Sequence, residues 1–478
     1  MPSKTSSLAP WMKPQISYYD HQREGIRILM ARKSWILADQ PGLGKSLQAL
    51  AVFACDVVRE LGNGRLLVVC PASIKQNWLD EIEAFTTFYG LVLDGGPAKR
   101  KNALDEFAAH PSPKILVVGY EQVRSDFTQI NNCAFHAVVY DEAHAIKNPS
   151  AKRTKVSLAL YSKRSFLLTG TPLLNRVDEL WTLLHRVDPE GFPRFYAFKN
   201  RYVLYGEYGV VGPKNEAELK DRLDRVMLRR LKKDVLDLPG VQYIPRRVTL
   251  APAQRKMYDR ALYEFEVEWE DGEVETFDNS LTRLLRLKQI CGTTAVFDGH
   301  DVSAKLDAAV ADDLEILDNG EKIVTFTQFR GVLACYCERL RKAGVTVWQM
   351  HGDLPAAERQ GTIAAWARSK SPGVLACMFQ VAGLGLNMTA ARQASMLDKL
   401  FVPGLNAQAT DRLHRIGASK SQPVQVREYI ARGTVETRIE QILATKTELS
   451  DTLIEGGGSG LRRLLDKALA EEIGRSRS

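Results

Sequence analysis

Asp39 to Ser46 reads Asp-Gln-Pro-Gly-Leu-Gly-Lys-Ser, and this stretch constrains the fold more than any other. An apolar run, Trp35 to Ala38, leads in, and an alanine-rich apolar run, Leu47 to Val58, leads out. That order is strand, glycine-rich turn, helix. Glycines let backbone N–H groups close around phosphate oxygens, and the helix N-terminus adds positive potential. Gly42, Leu43 and Gly44 would line the cradle, Lys45 would reach the β- and γ-phosphates, and the Ser46 hydroxyl would hold Mg2+. The general phosphate-loop pattern has glycine where this chain has Asp39, so a plain glycine turn ahead of a core helix is the competing reading.

At 478 residues the chain is too long for one ordinary core, and two to four domains are expected. Its 45% hydrophobic and 26% charged residues fit a soluble globular protein. A net charge of +8 suits a nucleic-acid partner and equally suits a plain soluble surface. The seven cysteines are scattered and none has C-x-x-C spacing, so reduced, buried thiols are expected, and no structural zinc. No apolar run is long enough to cross a membrane, and Met1 to Gln15 lacks the apolar core of a secretory signal. Residues 1–17 read as a flexible lead-in.

Ile26, Leu29 and Met30 share one helical face in the stretch from Tyr18 to Met30. Gln22 on that helix is either a surface residue or, with its two donors and one acceptor, a reader of an adenine edge. Leu66–Cys70, Ile115–Val118, Ala137–Tyr140 and Phe166–Leu168 read as buried strands. Ser73 follows the first of these as an N-cap or a phosphate contact. Ala137–Tyr140 delivers Asp141-Glu142-Ala143-His144. A carboxylate pair at the end of a buried strand is costly unless something positive binds there. Asp141 suits Mg2+, and Glu142 suits orienting and deprotonating an attacking water; acids dressing a helix N-terminus are the alternative. Alternating strands and helices over residues 20–240 imply a parallel sheet whose ligands bind at the carboxyl ends of the strands. The phosphate loop, Asp141–His144 and Thr169–Thr171 all fall at such ends.

Arg229 to Lys233 holds four basic residues in five positions, which charge alone reads as a solvated helix face. Pro239-Gly240 marks a boundary. Glu264 to Asp278 is rich in acids and has a turn signal at Asp271-Gly272, so a hairpin facing away from nucleic acid is expected. Leu284, Leu285, Leu287 and Ile290 form an apolar stripe on a helix. Strands at Lys322–Phe326, Val345–Trp348 and Val374–Phe379 build a second α/β domain without a phosphate loop, which points to ATP held between the two. Arg412 and Arg415, three apart on one helical face, would then act as arginine fingers, or else are ordinary surface arginines. Gly456 to Gly460 reads as a linker, and Leu461 to Ile473 as a short amphipathic helix.

In this order the motifs resemble the Swi/Snf-type ATPases of helicase superfamily two. Asp39–Ser46, Asp141–His144, Leu168–Asn175, Leu228–Pro239, Gly383–Asn387 and Gln408–Gly417 carry the resemblance, and it spans Tyr18 to Leu453. It implies an α/β fold with two RecA-like lobes, helical insertions and a short C-terminal helical segment. The boundaries are lobe one at 18–240, an acidic and helical connection at 241–300, lobe two at 301–447 and a tail at 448–478. It implies ATP and Mg2+ as cofactors. Gln22 would contact adenine, Lys45, Ser46, Asp141 and Glu142 would bind and hydrolyse, and Arg412 and Arg415 would complete the site. Gly385 would join the ATP site. Ser73, Tyr120, His144, Thr169, Thr171, Thr327, His351 and Asn387 would track DNA or couple it to ATP. Asp20, His21, Phe401, Val402 and Ala418 depart from the family pattern, but every charged catalytic position is filled.

The resemblance implies an ATPase that moves along double-stranded DNA. The alternatives are a strand-separating or branch-migrating helicase, and a non-hydrolysing clamp switched by ATP on DNA or protein. No module beyond the motor is evident. A compact bacterial or phage-like cytoplasmic motor with a targeting protein partner is therefore expected, with a nuclear one as the alternative.

Overall fold

The computed structural model describes residues 11–58, 64–111, 113–170, 177–206, 209–263, 266–268, 274–276, 280–382, 387–401, 403–416 and 421–441. Residues up to Leu236 form one compact unit, and those from Asp237 form the second. Thr171, Gly385 and the helix expected at Leu461–Ile473 lie outside the described residues.

The first unit holds a seven-stranded parallel sheet. Its strands are β1 Trp35–Leu37, β2 Arg65–Cys70, β3 Tyr89–Val92, β4 Lys114–Gly119, β5 Ala137–Asp141, β6 Arg164–Leu168 and β7 Met227–Leu228. They run in the order β3-β4-β2-β5-β6-β1-β7. Valine, leucine and isoleucine fill β2, β4 and β5 almost without interruption, because a parallel strand covered on both faces has no polar side. Ile36 pairs with Leu167 of β6 on one side and Met227 of β7 on the other, and Asp141 pairs with Leu168. The carboxyl ends of β1, β6 and β5 therefore stand side by side.

The second unit has six parallel strands: β8 Val241–Val248, β9 Ile323–Thr327, β10 Val347–Met350, β11 Val374–Met378, β12 Gln393–Met396 and β13 Val424–Ala431. Their order is β8-β13-β12-β9-β11-β10. β8 falls where the sequence pointed to a connecting insertion. It pairs with β13 from Val241 to Val248 and forms the sheet's edge, where its Pro245 and its exposed polar residues are tolerated. The acidic hairpin forms as expected, with Glu266–Glu268 antiparallel to Val274–Thr276. The apolar stripe of helix Ser280–Gly292 packs Leu284, Leu287 and Ile290 with Leu250, Tyr258 and Leu262. All seven thiols are free, and all but Cys335 are buried. Among the described residues no helix is long and apolar enough to cross a membrane.

The second core also buries charge. Lys305 donates to both carboxylate oxygens of Glu436, at 2.6 and 2.7 Å, and to the Leu397 carbonyl at 3.0 Å. Asp313 accepts from the Ser395 hydroxyl at 2.8 Å and from the Tyr336 hydroxyl. Burial still pushes its carboxyl up, to about 6. The folded state thus holds this proton over a pH range in which the unfolded chain has released it, so stability falls as pH rises through that range. The cost of ionised Asp313 is of order 2–3 kcal/mol above the folded-state pKa. We expect Asp313→Asn to raise the melting temperature relative to wild type at pH 8 and to lose that advantage at pH 4. Thermal melts of both proteins at the two pH values check this.

Candidate active site

The phosphate loop follows β1, and its helix, Lys45–Asp56, starts directly after Gly44. Gly42 and Gly44 both adopt left-handed backbone, with φ of 90° and 77°. A Cβ at Gly44 would also run into the amide nitrogen of Gln22, so this position takes no side chain. Lys45 Nζ lies 2.8 Å from the main-chain oxygen of Asp39, folded back along the loop. Ser46 stands on the first turn of the helix and is half-buried.

Gln22 is not a surface residue: it is 2% exposed. Its amide nitrogen donates to the Leu43 carbonyl at 3.2 Å, and its oxygen accepts from the Tyr19 N–H at 3.1 Å. His21 Nε2 lies 3.2 Å from the same Leu43 oxygen, and burial lowers its pKa, favouring the neutral ring. One helix N-terminus therefore grips the loop's backbone through two side chains.

Asp141 ends β5 and Glu142 follows in a left-handed conformation, φ 47° and ψ 53°, uncommon for a residue with a Cβ. Such strain is held only where surrounding contacts enforce it. Asp141 is fixed from three sides. The indole N–H of Trp78 donates to Oδ2 at 2.8 Å, the Glu142 N–H donates to Oδ1 at 2.9 Å, and the Tyr120 hydroxyl donates to the main-chain oxygen at 2.8 Å. Burial first, and the Glu142 charge second, push the Asp141 carboxyl up. The nearby Lys45 ammonium acts against them, so the phosphate loop and the acidic pair share one electrostatic environment. His144 Nδ1 lies 3.3 Å from Glu142 Oε2.

Gly42, Leu43, Gly44, Lys45 and Ser46 follow the carboxyl end of β1, with Gln22 bonded to them from helix Asp20–Met30, and Asp141, Glu142 and His144 stand at the carboxyl end of β5, with β6 between the two strands. Thr169, next after β6, is fully buried and donates its N–H to the Leu37 carbonyl at 3.1 Å. Ser73 does not cap a helix through its side chain. It sits inside a short 3-10 turn, Ala72–Ile74, and Ile74 flanks helix Lys75–Phe85. Tyr120 is buried, with its hydroxyl on the main-chain oxygen of Asp141. Trp78 is the residue that sequence reasoning missed: as one apolar position on a helix it carries no signal of the carboxylate it faces.

In the second unit Thr327 is buried and donates to Asp398. His351 is half-buried near Asp353, and Asn387 is exposed with its oxygen accepting from the Thr389 N–H at 3.2 Å. Arg412 and Arg415 lie just beyond the regular helix that their spacing pointed to. Helix Pro403–Thr410 ends before them, and Asp411–Ile416 forms successive turns. Leu413 is drawn into the core, the Met388 N–H takes the Arg412 carbonyl at 3.0 Å, and His414 bonds the Pro239 carbonyl at 2.8 Å. The Asp411 N–H still reaches the Ala407 carbonyl at 2.9 Å and the His414 N–H the Thr410 carbonyl at 3.1 Å, so turn-type bonding continues past the end of the helix.

Trp78→Phe removes the indole N–H that donates to Asp141 Oδ2 and leaves that buried carboxylate oxygen without it. A deficit of roughly 1–3 kcal/mol is expected when the carboxylate is ionised. Because the Asp141 pKa is raised, the deficit should be largest at pH 8 and shrink at pH 5, where protonation relieves the unmatched charge. Denaturant melts of wild type and variant at both pH values measure it.

Comparison with known proteins places these features in a family. Residues 21–296 match the SNF2-related domain, and residues 308–417 match the helicase conserved C-terminal domain. An uncharacterized ATP-dependent helicase of Mycoplasma pneumoniae is 32% identical over 450 residues, covering 92% of this chain and 42% of that protein. The putative ATP-dependent helicase/translocase YwqA of Bacillus subtilis is 28% identical, covering 95% and 49%. The mouse chromodomain-helicase-DNA-binding protein 1-like is 28% identical, covering 94% and 51%. The chain thus spans about half, or somewhat less, of the length of these relatives. The solved SWI2/SNF2 ATPase core of Sulfolobus solfataricus in complex with dsDNA is 28% identical, covers 98% of each chain and has a TM-score of 0.46. With more than half of its residues matched by the SNF2-related domain and the helicase C-terminal domain following in order, this chain belongs to the SNF2-related family.

Proposed function

We propose that this chain is an ATPase that binds double-stranded DNA, hydrolyses ATP in response and moves along the duplex without separating its strands. The observation that carries the reading is the placement of the phosphate loop and the Asp141–Glu142 pair at the carboxyl ends of β1 and β5, the two strands that flank β6, with Lys45 near enough to act on the Asp141 carboxyl. A buried carboxylate with a raised pKa is short of positive charge, and the oxygens offered by Ser46 and Asp141 are the hard donors that Mg2+ takes. Bound with ATP, Mg2+ would neutralise charge on the phosphates. Lys45 would leave the Asp39 carbonyl for the β- and γ-phosphates. The N–H groups of Gly42, Leu43 and Gly44 would cradle the phosphate oxygens, and Gln22 would face the adenine. Glu142 would orient the attacking water and accept its proton, with His144 holding its carboxylate. Arg412 and Arg415 are assigned the stabilisation of charge on the transferred phosphoryl group. Family membership and the helicase, translocase and DNA-binding names of the relatives support duplex DNA as the track. Two of those relatives are bacterial, which favours a cytoplasmic motor.

Lys45→Ala is expected to lower ATP turnover by ~10²-fold or more, the scale of losing one group that stabilises developing charge. Glu142→Gln should keep nucleotide binding and lose ~10²–10⁴-fold in turnover. Full turnover in either variant overturns the catalytic assignment. Steady-state ATP hydrolysis with these proteins supplies both values.

Turnover is expected to rise strongly with plain duplex DNA, less with single strands, forks or RNA, and to fall with added salt as counterion release weakens binding. A triplex-displacement assay should then give product, and a strand-displacement assay none. Stimulation by forks alone would favour strand separation or branch migration. Nucleotide binding without turnover on any nucleic acid would favour a clamp.

A further inference from the structure

Asp39 stands where a general phosphate loop has glycine, and its carboxylate is fully buried. Its partner comes from 191 residues later in the chain: Arg230 Nε donates to Oδ1 at 3.0 Å, and Nη2 donates to Oδ2. The same guanidinium donates to Gln48 Oε1 at 2.7 Å and to the main-chain oxygen of His21. Gln48 is itself buried, on the helix that follows the loop. Its amide nitrogen reaches Asp39 Oδ2 at 3.3 Å and the carbonyls of Leu43 and Gly44 at 3.4 Å each. Arg230, Asp39 and Gln48 thus form one closed set of hydrogen bonds whose outer contacts are the loop's backbone at Leu43 and Gly44 and the His21 carbonyl of helix Asp20–Met30.

The backbone repeats the arrangement. The Ala38 N–H donates to the Leu228 carbonyl at 2.8 Å, the Gln40 N–H to the Arg230 carbonyl at 3.0 Å, and the Lys232 N–H to Gln40 Oε1 at 2.8 Å. β7 and the residues after it run beside the entry to the phosphate loop on both sides of Asp39. Gly25 gives a further sign of fit. It lies within helix Asp20–Met30, where glycine costs about 0.5–1 kcal/mol relative to alanine. A Cβ there would stand 2.8 Å from Arg230 Nη2 and 3.0 Å from Nη1, and would collide with the Gln48 side chain.

We propose that Arg230 is a positioning residue of the phosphate loop, acting through Asp39 and Gln48 to hold the loop in its nucleotide-binding shape. The proposal rests on the ATP reading above. A planar guanidinium matches both oxygens of a carboxylate, which a lysine ammonium cannot do. Removing either member of the pair leaves the other charged and buried. The loop then depends for its shape on the last segment of the first unit.

The test uses Arg230→Met, Arg230→Lys, Asp39→Gly and the double variant Asp39→Gly/Arg230→Met in the full chain. Each is measured for Kd of a fluorescent ATP analogue with Mg2+, for KM and kcat of ATP hydrolysis, and for melting temperature. Arg230→Met is expected to raise the Kd and KM at least ~10-fold, with Arg230→Lys only partly restoring them. The double variant should bind nucleotide no worse than the weaker single variant, because the two changes remove one interaction. Kd and KM within twofold of wild type in folded Arg230→Met, with only the melting temperature lowered, would overturn the positioning role and leave the ATP reading intact. Should Arg230→Met not fold, an unchanged Kd in Arg230→Lys and Asp39→Gly overturns it equally. A wild-type protein that binds no nucleotide overturns the ATP reading and this proposal with it.

Discussion

Parallel pairing of β5, β6 and β1 brings three strands to an end at one edge, and the polar chemistry of the first unit follows from that. A strand buried on both faces can carry no charge along its length, so charged residues collect where it stops. There they meet the carboxylates and ammonium groups of neighbouring strand ends at short range and with little water. Asp141 illustrates the consequence. Its position costs enough to raise its pKa, and the surrounding chain supplies an indole, a main-chain N–H and a tyrosine hydroxyl to hold it in place. The site is therefore built to accept positive charge before any ligand arrives.

The buried ion pairs serve a second purpose. Asp39 with Arg230 and Lys305 with Glu436 each join residues far apart in sequence. Replacing such pairs by well-packed apolar residues is often neutral or stabilising, so net stability is a weak explanation for them. Directionality is a better one. A carboxylate and a guanidinium meet in few geometries, whereas apolar side chains slide. At Asp39 the fixed geometry is passed through Gln48 to the carbonyls of Leu43 and Gly44, where a small displacement would change the cradle.

Much of the architecture was legible from local signals. The strands at Leu66–Cys70, Ile115–Val118 and Ala137–Tyr140 appear within a residue of where their apolar runs lie, because burial on both faces leaves a mark that length and composition both register. Tyr89–Val92, Met227–Leu228 and Gln393–Met396 left no such mark. The first is only half-buried, the second is two residues long, and the third contains glutamine and serine that find partners inside the unit. Val241–Val248 was hidden for a different reason. An edge strand with exposed polar residues and a proline resembles a loop until its neighbour is known.

By itself the sequence determined the two α/β units, the glycine-rich turn with its lysine and serine, and the acidic pair at a strand end. Spacing and residue chemistry specify those locally. Only the tertiary structure decided which partners the other polar side chains take. Arg230 belongs to a basic run that charge alone assigns to a solvated helix face, and it lies instead against Asp39. Gln22 donates to the Leu43 carbonyl of the phosphate loop, and Trp78 donates to Asp141. Arg412 and Arg415 fall in the turns after helix Pro403–Thr410, where Leu413 enters the core and His414 bonds the distant Pro239 carbonyl. In each instance the deciding partner is distant along the chain, and a side chain's hydrogen bonds are set by what the fold brings within 3 Å rather than by its neighbours in sequence.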